Sequence, residues 1–452
     1  MIEHDPVFDE LRTLADWTAA LRPGDVPEDI RKRVALIFWD DFGAMLAAHN
    51  ETELISLRAK IAESAGRTEA TVFDGGDARV DRYSAALGNG SAADWCELDG
   101  GFRPVVCHAA LYVLPALLAE AEAVDARMDD MLTALLVGYE TVARVAKAFT
   151  FPALALHPHG GLATIGAAAG IAYLRGHDAE LCARAISAAA TMVLPGPFSH
   201  AVEGALIRNV WPGHCAQNGL RAVDWAEIGI SGTPASLRNA LCDIMGAEVT
   251  PKRLSAGLGQ DWAVTDGYHK MHACCQYAHS TAEAIMEALD GKSLAAGDIH
   301  EIRIETHEKG RKLDNVIPRT TLAAKFSIQH IAAATITTGH ADASAFHAST
   351  LEDPDIARLR EKIRIAPYEP EMPPPNDRPA KVIITLSDGT LLSGECLSAR
   401  GGPDRPFERA EIVSKGRANI AAAYPKAPDR IAPVLEGRTN GLHWGALVRA
   451  FT

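Results

Sequence analysis

The segments Gly161 to Leu174 and Ala183 to Val193 constrain the fold more than any other part of this chain. Both are apolar nearly all round a helical wheel and consist largely of Ala and Gly. A helix without a polar face has to be buried on several sides, and small residues let neighbouring helices approach closely. The two segments therefore read as central helices of a larger helical assembly. Stretches 7–21, 26–48, 51–64, 79–90, 105–124, 127–150, 161–175 and 178–193 predict that assembly, because their apolar residues recur at spacings of three and four. Many are rich in Ala, the strongest helix former. Breakers stand where helix ends are expected, at Arg22-Pro23-Gly24-Asp25, Gly176-His177-Asp178 and Gly232-Thr233-Pro234.

The texture changes after Gly267. His300 to Thr306 alternates, with Ile at every second position, and reads as a strand. Lys381 to Leu386, the turn Ser387-Asp388-Gly389 and Thr390 to Leu397 read as a β-hairpin. Helices are predicted at about 325–339 and 352–364, a Pro-rich surface connector at Pro370 to Pro379, and helices again from about 405. The expected fold is mainly α with an α+β part. It comprises a discontinuous helical domain, 1–267 and 401–452, and a smaller α+β lid domain, 268–400.

Composition excludes several functions. The 452 residues are 48% hydrophobic and 23% charged, as in soluble globular chains, which rules out a disordered or collagen-like one. With 44 Lys+Arg against 58 Asp+Glu, the net charge is -14. No basic stripe offsets it, so no nucleic-acid partner is expected. No apolar stretch reaches the roughly 20 residues of a membrane span, so no membrane partner is expected either. The N-terminus, MIEHDPVFDELRTLADW, has neither the basic nor the apolar region of a signal peptide. The eight Cys are scattered and fit no zinc or redox spacing. A cytoplasmic chain with reduced thiols is expected. The 17 His exceed what packing requires.

Four segments place ionisable groups where a structural helix would not want them. In the first, Asn89 to Arg103, a helix enters a Gly-flanked loop carrying Glu97, Asp99 and Arg103, and His108 then opens the next helix. A helix start suits a carboxylate ligand. In the second, His157 and His159 stand beside two Gly at the mouth of a buried helix. No further metal ligand follows nearby, so a metal-free proton-transfer role is preferred. The third, Glu203 to His214, presents Arg208 on a Gly-punctuated loop, with a helix beginning after Pro212. Arg can hold a carboxylate through two hydrogen bonds. The fourth, Tyr268 to His279, gathers Lys270, Cys275, His279 and further His at the predicted domain junction, a preferred position for ligand clefts.

In order, these segments resemble the MmgE/PrpD family over about residues 8–450. The carriers are NGSAADWCELDGG…CHAA, LHPHGGLATIGAAAGIAYLRGHD, EGALIRNVWPGHCAQNGLRAVDWAEIGISG, KMHACCQYAH and AAKFSIQHIAAA. The resemblance implies a helical domain with an α+β lid, usually in a homodimer. It also implies chemistry on small polycarboxylates without metal or organic cofactor: dehydration of 2-methylcitrate, decarboxylation of cis-aconitate or epimerisation of iminodisuccinate. Carried over residue by residue, it assigns catalysis to His108, Lys270, His157, Glu97 and Asp99. Substrate binding falls to Arg208, Arg103, His159, Cys275, His279, Ser327 and His330. Arg208 stands where the family usually has Lys, and His330 where it usually has Tyr.

The three reactions share a bond change at a carbon next to a carboxylate, so cations must stabilise an enediolate-like dianion. Arg208, Lys270 and Arg103 are expected in that role, with His108 or His157 as the base. The expected function is a cofactor-independent hydro-lyase on a citrate-like acid. The alternatives are an epimerase or racemase of an amino- or imino-dicarboxylate, a cis-aconitate-type decarboxylase, and a non-catalytic polycarboxylate-binding protein.

Overall fold

In the computed structural model, which describes residues 5–452 and leaves the first four residues of the acidic N-terminus outside, the helical periodicity becomes a series of packed helices. They are α1 (Pro6–Ala20), α2 (Glu28–Ala47), α3 (Thr52–Ser64), α4 (Arg82–Ala93), α5 (Ala109–Ala123), α6 (Met128–Ala148), α7 (Pro158–Leu174), α8 (Ala179–Ala190) and α9 (Ile207–Glu227). α7 is the hub. Pro158 supplies a preset φ at its first turn, and every residue from Pro158 to Ala172 is buried. It packs on α5, α6, α8 and α9, and small residues make that possible. A Cβ on Gly219 of α9 would stand 2.3 Å from the Cβ of Ala167 in α7.

α4 and α9 run antiparallel. Tyr83 Oη donates to Asp224 Oδ2 at 2.6 Å near one end. In the middle, a Cβ on Gly90 would lie 2.4 Å from Gly213 Cα. The arrangement differs from the sequence reading of Arg208 as a loop residue. The helix begins at Ile207 and continues through Pro212. Proline removes one hydrogen bond, to the Arg208 carbonyl, close to the helix entry, and the rest of α9 is intact.

After Gly267 the chain builds a four-stranded sheet from β1 (Ile299–Thr306), β2 (Ile363–Pro367), β3 (Ala380–Leu386) and β4 (Leu391–Cys396), in the order β4-β3-β1-β2. β3 and β4 form the antiparallel hairpin, with Leu391 opposite Thr385 and Cys396 opposite Ala380. β2 pairs parallel to β1, which corrects the predicted helix 352–364. That helix stops at Lys362, and the short alternating run Ile363-Arg364-Ile365 continues as a strand. α10 (His279–Leu289) packs on β3 and β4 and against α11 (Ile328–Thr338). α12 (Pro354–Lys362) packs on α11.

The last helices are α13 (Arg409–Ala423), α14 (Ala427–Leu435) and α15 (Trp444–Phe451), and they return to the N-terminal assembly. α13 lies on α2, where buried Trp39 donates from Nε1 to the Val413 carbonyl at 3.1 Å. Phe38, Phe42, Phe73, Trp444 and Phe451 form one aromatic cluster. Each such ring contributes about 1.5–3 kcal/mol by leaving water, so the chain ends are held together by apolar burial. The protein is thus mainly α with an α+β part. Among the described residues, all eight cysteines are free, and no helix is long and apolar enough to cross a membrane.

Candidate active site

Four helix ends converge at one place. Asp94 caps the end of α4, His108 the start of α5 and His157 the start of α7, while Arg208 lies in the first turn of α9. The antiparallel packing of α4 and α9 carries Asp94 to Arg208. A two-residue strand pair, Gly101–Phe102 with Gly267–Tyr268, lays Lys270 against the acidic loop. Gly101 has no room for a side chain, since a Cβ would sit 2.3 Å from Tyr268 Oη.

The acidic loop is held in a specific shape. Glu97 adopts φ 53°, in the left-handed region that a residue with a Cβ rarely enters, and its N–H donates to the Asp94 carbonyl at 2.9 Å. Three remote groups hold the loop from outside. Lys325 Nζ donates to the Trp95 carbonyl at 2.7 Å. The Gly100 N–H donates to Asp41 Oδ1 at 2.9 Å. Lys415, from α13, donates to the Leu98 carbonyl at 3.1 Å and to the Lys270 carbonyl at 2.7 Å, and pairs with Asp40 Oδ1 at 2.7 Å. One side chain from the C-terminal helices therefore ties the acidic loop to the Lys270 segment.

Within this frame the charges interlock. Arg208 Nη1 meets Asp94 Oδ2 at 2.5 Å and Glu97 Oε1 at 2.7 Å, and Arg208 Nε donates to His157 Nε2 at 3.2 Å. Lys270 Nζ donates to Glu97 Oε2 and Asp99 Oδ1, both at 3.3 Å. His108 Nδ1 lies 2.5 Å from Asp99 Oδ2. His159 Nε2 lies 2.9 Å from Asp94 Oδ2, and Tyr112 Oη lies 3.0 Å from His159 Nδ1.

Burial would raise the Asp99 carboxyl, but Lys270 and His108 outweigh it and hold it well below the usual carboxylate range. Glu97 is also lowered, with Arg208 and Lys270 overcoming its burial. Asp94 goes the other way. Burial pushes it well above its ordinary value, with Glu97 and Asp99 adding to the effect and Arg208 opposing it. Burial works against the Lys270 ammonium, yet Asp99 and Glu97 hold it above its normal range, so it stays charged. Burial first, then Arg208, drives His157 and His159 well below the usual imidazole range, so both are neutral.

A narrow cleft opens over this network. Glu97, His108, His157, Arg208, Tyr268 and Cys275 line it, together with Gln276, Tyr277, Phe326 and Arg378. His108 Nδ1 is tied to Asp99, and its Nε2 has no protein partner among the described residues. A groove elsewhere, bounded by Pro23, Lys32 and Thr439, carries ionisable groups that are largely solvent-exposed. Among the described residues, no three His, Cys, Asp or Glu side chains are grouped to hold a metal ion.

The structure brings together His108, His157, His159, Glu97, Asp99, Arg208, Lys270 and Cys275. Burial pushes the Cys275 thiol up to about 12. Arg103 is not among the residues lining the cleft and is bonded to Asp377 and to the Pro375 carbonyl. His279 turns away toward the Cys274 carbonyl at 3.1 Å. Ser327 caps α11 by accepting from the His330 N–H at 2.9 Å, and His330 Nε2 lies 3.2 Å from Thr350 Oγ1. His279, Ser327 and His330 are thus outside the cleft lining. Sequence reasoning missed Asp94, Arg378, Lys415 and the Asp40–His269 contact of 2.6 Å. Asp94 had a local signal, three residues before Glu97 in the same loop. Arg378 had none, because it ends a Pro-rich connector that reads as surface.

Fold and site together define a mainly helical chain with an α+β part and a cleft lined by buried charged groups and histidines. The MmgE/PrpD N-terminal domain matches residues 12–240 and the MmgE/PrpD C-terminal domain matches 272–438. The chain belongs to the MmgE/PrpD family. It is 24% identical over 432 residues to the cis-aconitate decarboxylase-like protein oryM of Aspergillus oryzae, with 89% of each chain covered. It is also 24% identical to the cis-aconitate decarboxylase of Homo sapiens over 418 residues, covering 89% of this chain and 85% of the human one. The mouse cis-aconitate decarboxylase is 24% identical over 371 residues, covering 78% and 75% of the two chains.

Proposed function

We propose that this protein is a lyase acting on a small polycarboxylate, and first of all a hydro-lyase on a citrate-like acid, with His108 moving the proton at the carbon next to a carboxylate. The observation that carries this reading is the His108–Asp99 pair at 2.5 Å on the cleft wall. The ionised Asp99 fixes the imidazole through Nδ1 and leaves Nε2 free to take a proton. Nε2 takes the proton from the carbon, and the electron pair moves onto the carboxylate as an enediolate. The pair then returns to form the double bond as the neighbouring hydroxyl takes the proton from the His108 imidazolium and leaves as water. The starts of α5, α7 and α9 point partial positive charge at the cleft and favour the dianion.

The names of the relatives favour a second reading, decarboxylation. There the carbon–carboxylate bond breaks to release CO₂, and the resulting carbanion takes its proton from the His108 imidazolium. Both readings use the same histidine at the same kind of carbon. The test is NMR of purified protein with a panel of di- and tricarboxylates. A new vinylic signal with carbon count retained supports dehydration, and one carbon fewer supports decarboxylation. His108→Asn is expected to slow turnover about 10²–10⁴-fold. Full activity in that variant rejects the assignment.

A further inference from the structure

The cations of the cleft differ in how they are balanced. Arg208 is in contact with Asp94 and Glu97, and Lys270 with Glu97 and Asp99. Even with Asp94 neutral, Glu97 and Asp99 match these two cations one for one, and a polyanionic ligand finds no free positive charge there. Arg378 is different. It is 6% exposed, lines the same cleft as His108, and its Nε has no hydrogen-bond partner. Its other nitrogens donate to neutral groups, the Gln276 amide oxygen and, at 3.3 Å, the Arg103 carbonyl. The nearest carboxylate, Asp377, lies 3.7 Å from Nε and is already bonded to Arg103. The Tyr277 ring supports the guanidinium at 5.2 Å, and Lys309 lies 5.6 Å from the same ring. Arg103 and Arg378 thus share one carboxylate, Asp377, with the Lys309 cation on the same tyrosine ring. A buried guanidinium left in this state is costly unless an anion completes it.

We propose that Arg378 makes the site selective for polycarboxylates by holding the carboxylate remote from the carbon at which His108 acts. This rests on the polycarboxylate reading and adds to it the residue that distinguishes a polycarboxylate from a monocarboxylate. Arg103 and Lys309 place further positive charge around the same position, and the planar fork of Arg378 matches the two carboxylate oxygens.

The test compares wild type, Arg378→Gln and Arg378→Lys on the best acid of the panel and on its positional mono-amides, in which one carboxylate is neutral. Arg378→Gln is expected to raise KM for the acid about 10- to 100-fold, with a much smaller change in kcat. Wild type is expected to lose the same factor on one mono-amide, Arg378→Gln to treat that amide and the acid alike, and Arg378→Lys to recover part of the loss. An unchanged KM and undiminished discrimination in Arg378→Gln, with wild type active, overturn this inference alone. If circular dichroism shows that Arg378→Gln is misfolded, the wild-type acid-to-amide ratio and Arg378→Lys decide. No discrimination by wild type overturns the proposal, and a loss confined to one amide with a raised KM in Arg378→Lys supports it. Wild type that neither binds nor converts any polycarboxylate overturns the underlying reading, and this inference with it.

Discussion

At the floor beneath the cleft, Arg208 is held between Asp94 and Glu97 and Lys270 between Glu97 and Asp99, and every member of the group is buried. On the wall, Arg378 is equally buried but is held by an amide, a backbone carbonyl and an aromatic ring. The contrast separates two uses of buried charge. The floor completes its own pairs on folding, so its charges hold the loop, His108 and Lys270 in place. The wall leaves a positive charge to be completed by something outside the chain.

Lys270→Met should break the floor most severely. It leaves Glu97 and Asp99 with one fewer cation, and loss of one partner from a buried pair costs about 3–5 kcal/mol. Chemical denaturation should show that loss, together with abolished turnover. Near-wild-type stability would mean that the floor is not closed by its own charges. Lys415→Met acts from outside the cleft by releasing both the Leu98 and Lys270 carbonyls and Asp40. Hydrogen bonds involving a charged group contribute about 1.5–3 kcal/mol, so its stability should fall by about that much, and turnover should fall with it. Arg378→Gln should behave oppositely to both, melting within about 1 kcal/mol of wild type because no carboxylate loses its direct partner. A large stability loss there would erase the distinction between floor and wall.

The last effect concerns pH. Burial, with Asp40 and Asp99 adding to it, raises the Asp41 carboxyl well above its ordinary range. The folded state therefore keeps a proton that the unfolded chain releases above about pH 4. Stability falls as pH rises from there toward the folded value. Asp41→Asn removes the titration while keeping an acceptor for the Gly100 N–H. The variant should thus gain on wild type as pH rises from 4 to 7, measured by thermal melts across that range. A difference independent of pH would show that Asp41 does not titrate in this way.

Much of the fold is legible in the sequence because burial leaves a periodic record. The all-round apolar segment at 161–174 is the hub helix, and the alternation at 300–306 is the central strand β1. What escaped was non-local or short. The strand Ile363–Pro367 follows a helix without a breaker, and the bridge joining Gly101–Phe102 to Gly267–Tyr268 is too brief to show a period. Within the site, the loop from Asn89 to Arg103 announces itself by its density of carboxylates. Lys415 and Arg378 do not, because each lies more than 100 residues from its main contacts in the site. In sequence, Lys415 looks like a helix-surface lysine and Arg378 like a loop arginine. Only the packing of α13 on α2, and of the connector over Tyr277, turns them inward.

The account depends above all on His108 moving a proton at a carbon next to a carboxylate. The most direct measurement is NMR of hydrogen exchange between that carbon and water, with wild type and His108→Asn compared at equal concentration. Dehydration is read as loss of deuterium to H₂O from acids labelled at that carbon, and decarboxylation as gain of deuterium from D₂O in the product. The account predicts one of these transfers with wild type and a rate about 10²–10⁴-fold lower with the variant. Equal rates of transfer by both proteins, or substrate consumed by wild type with neither transfer, would contradict it.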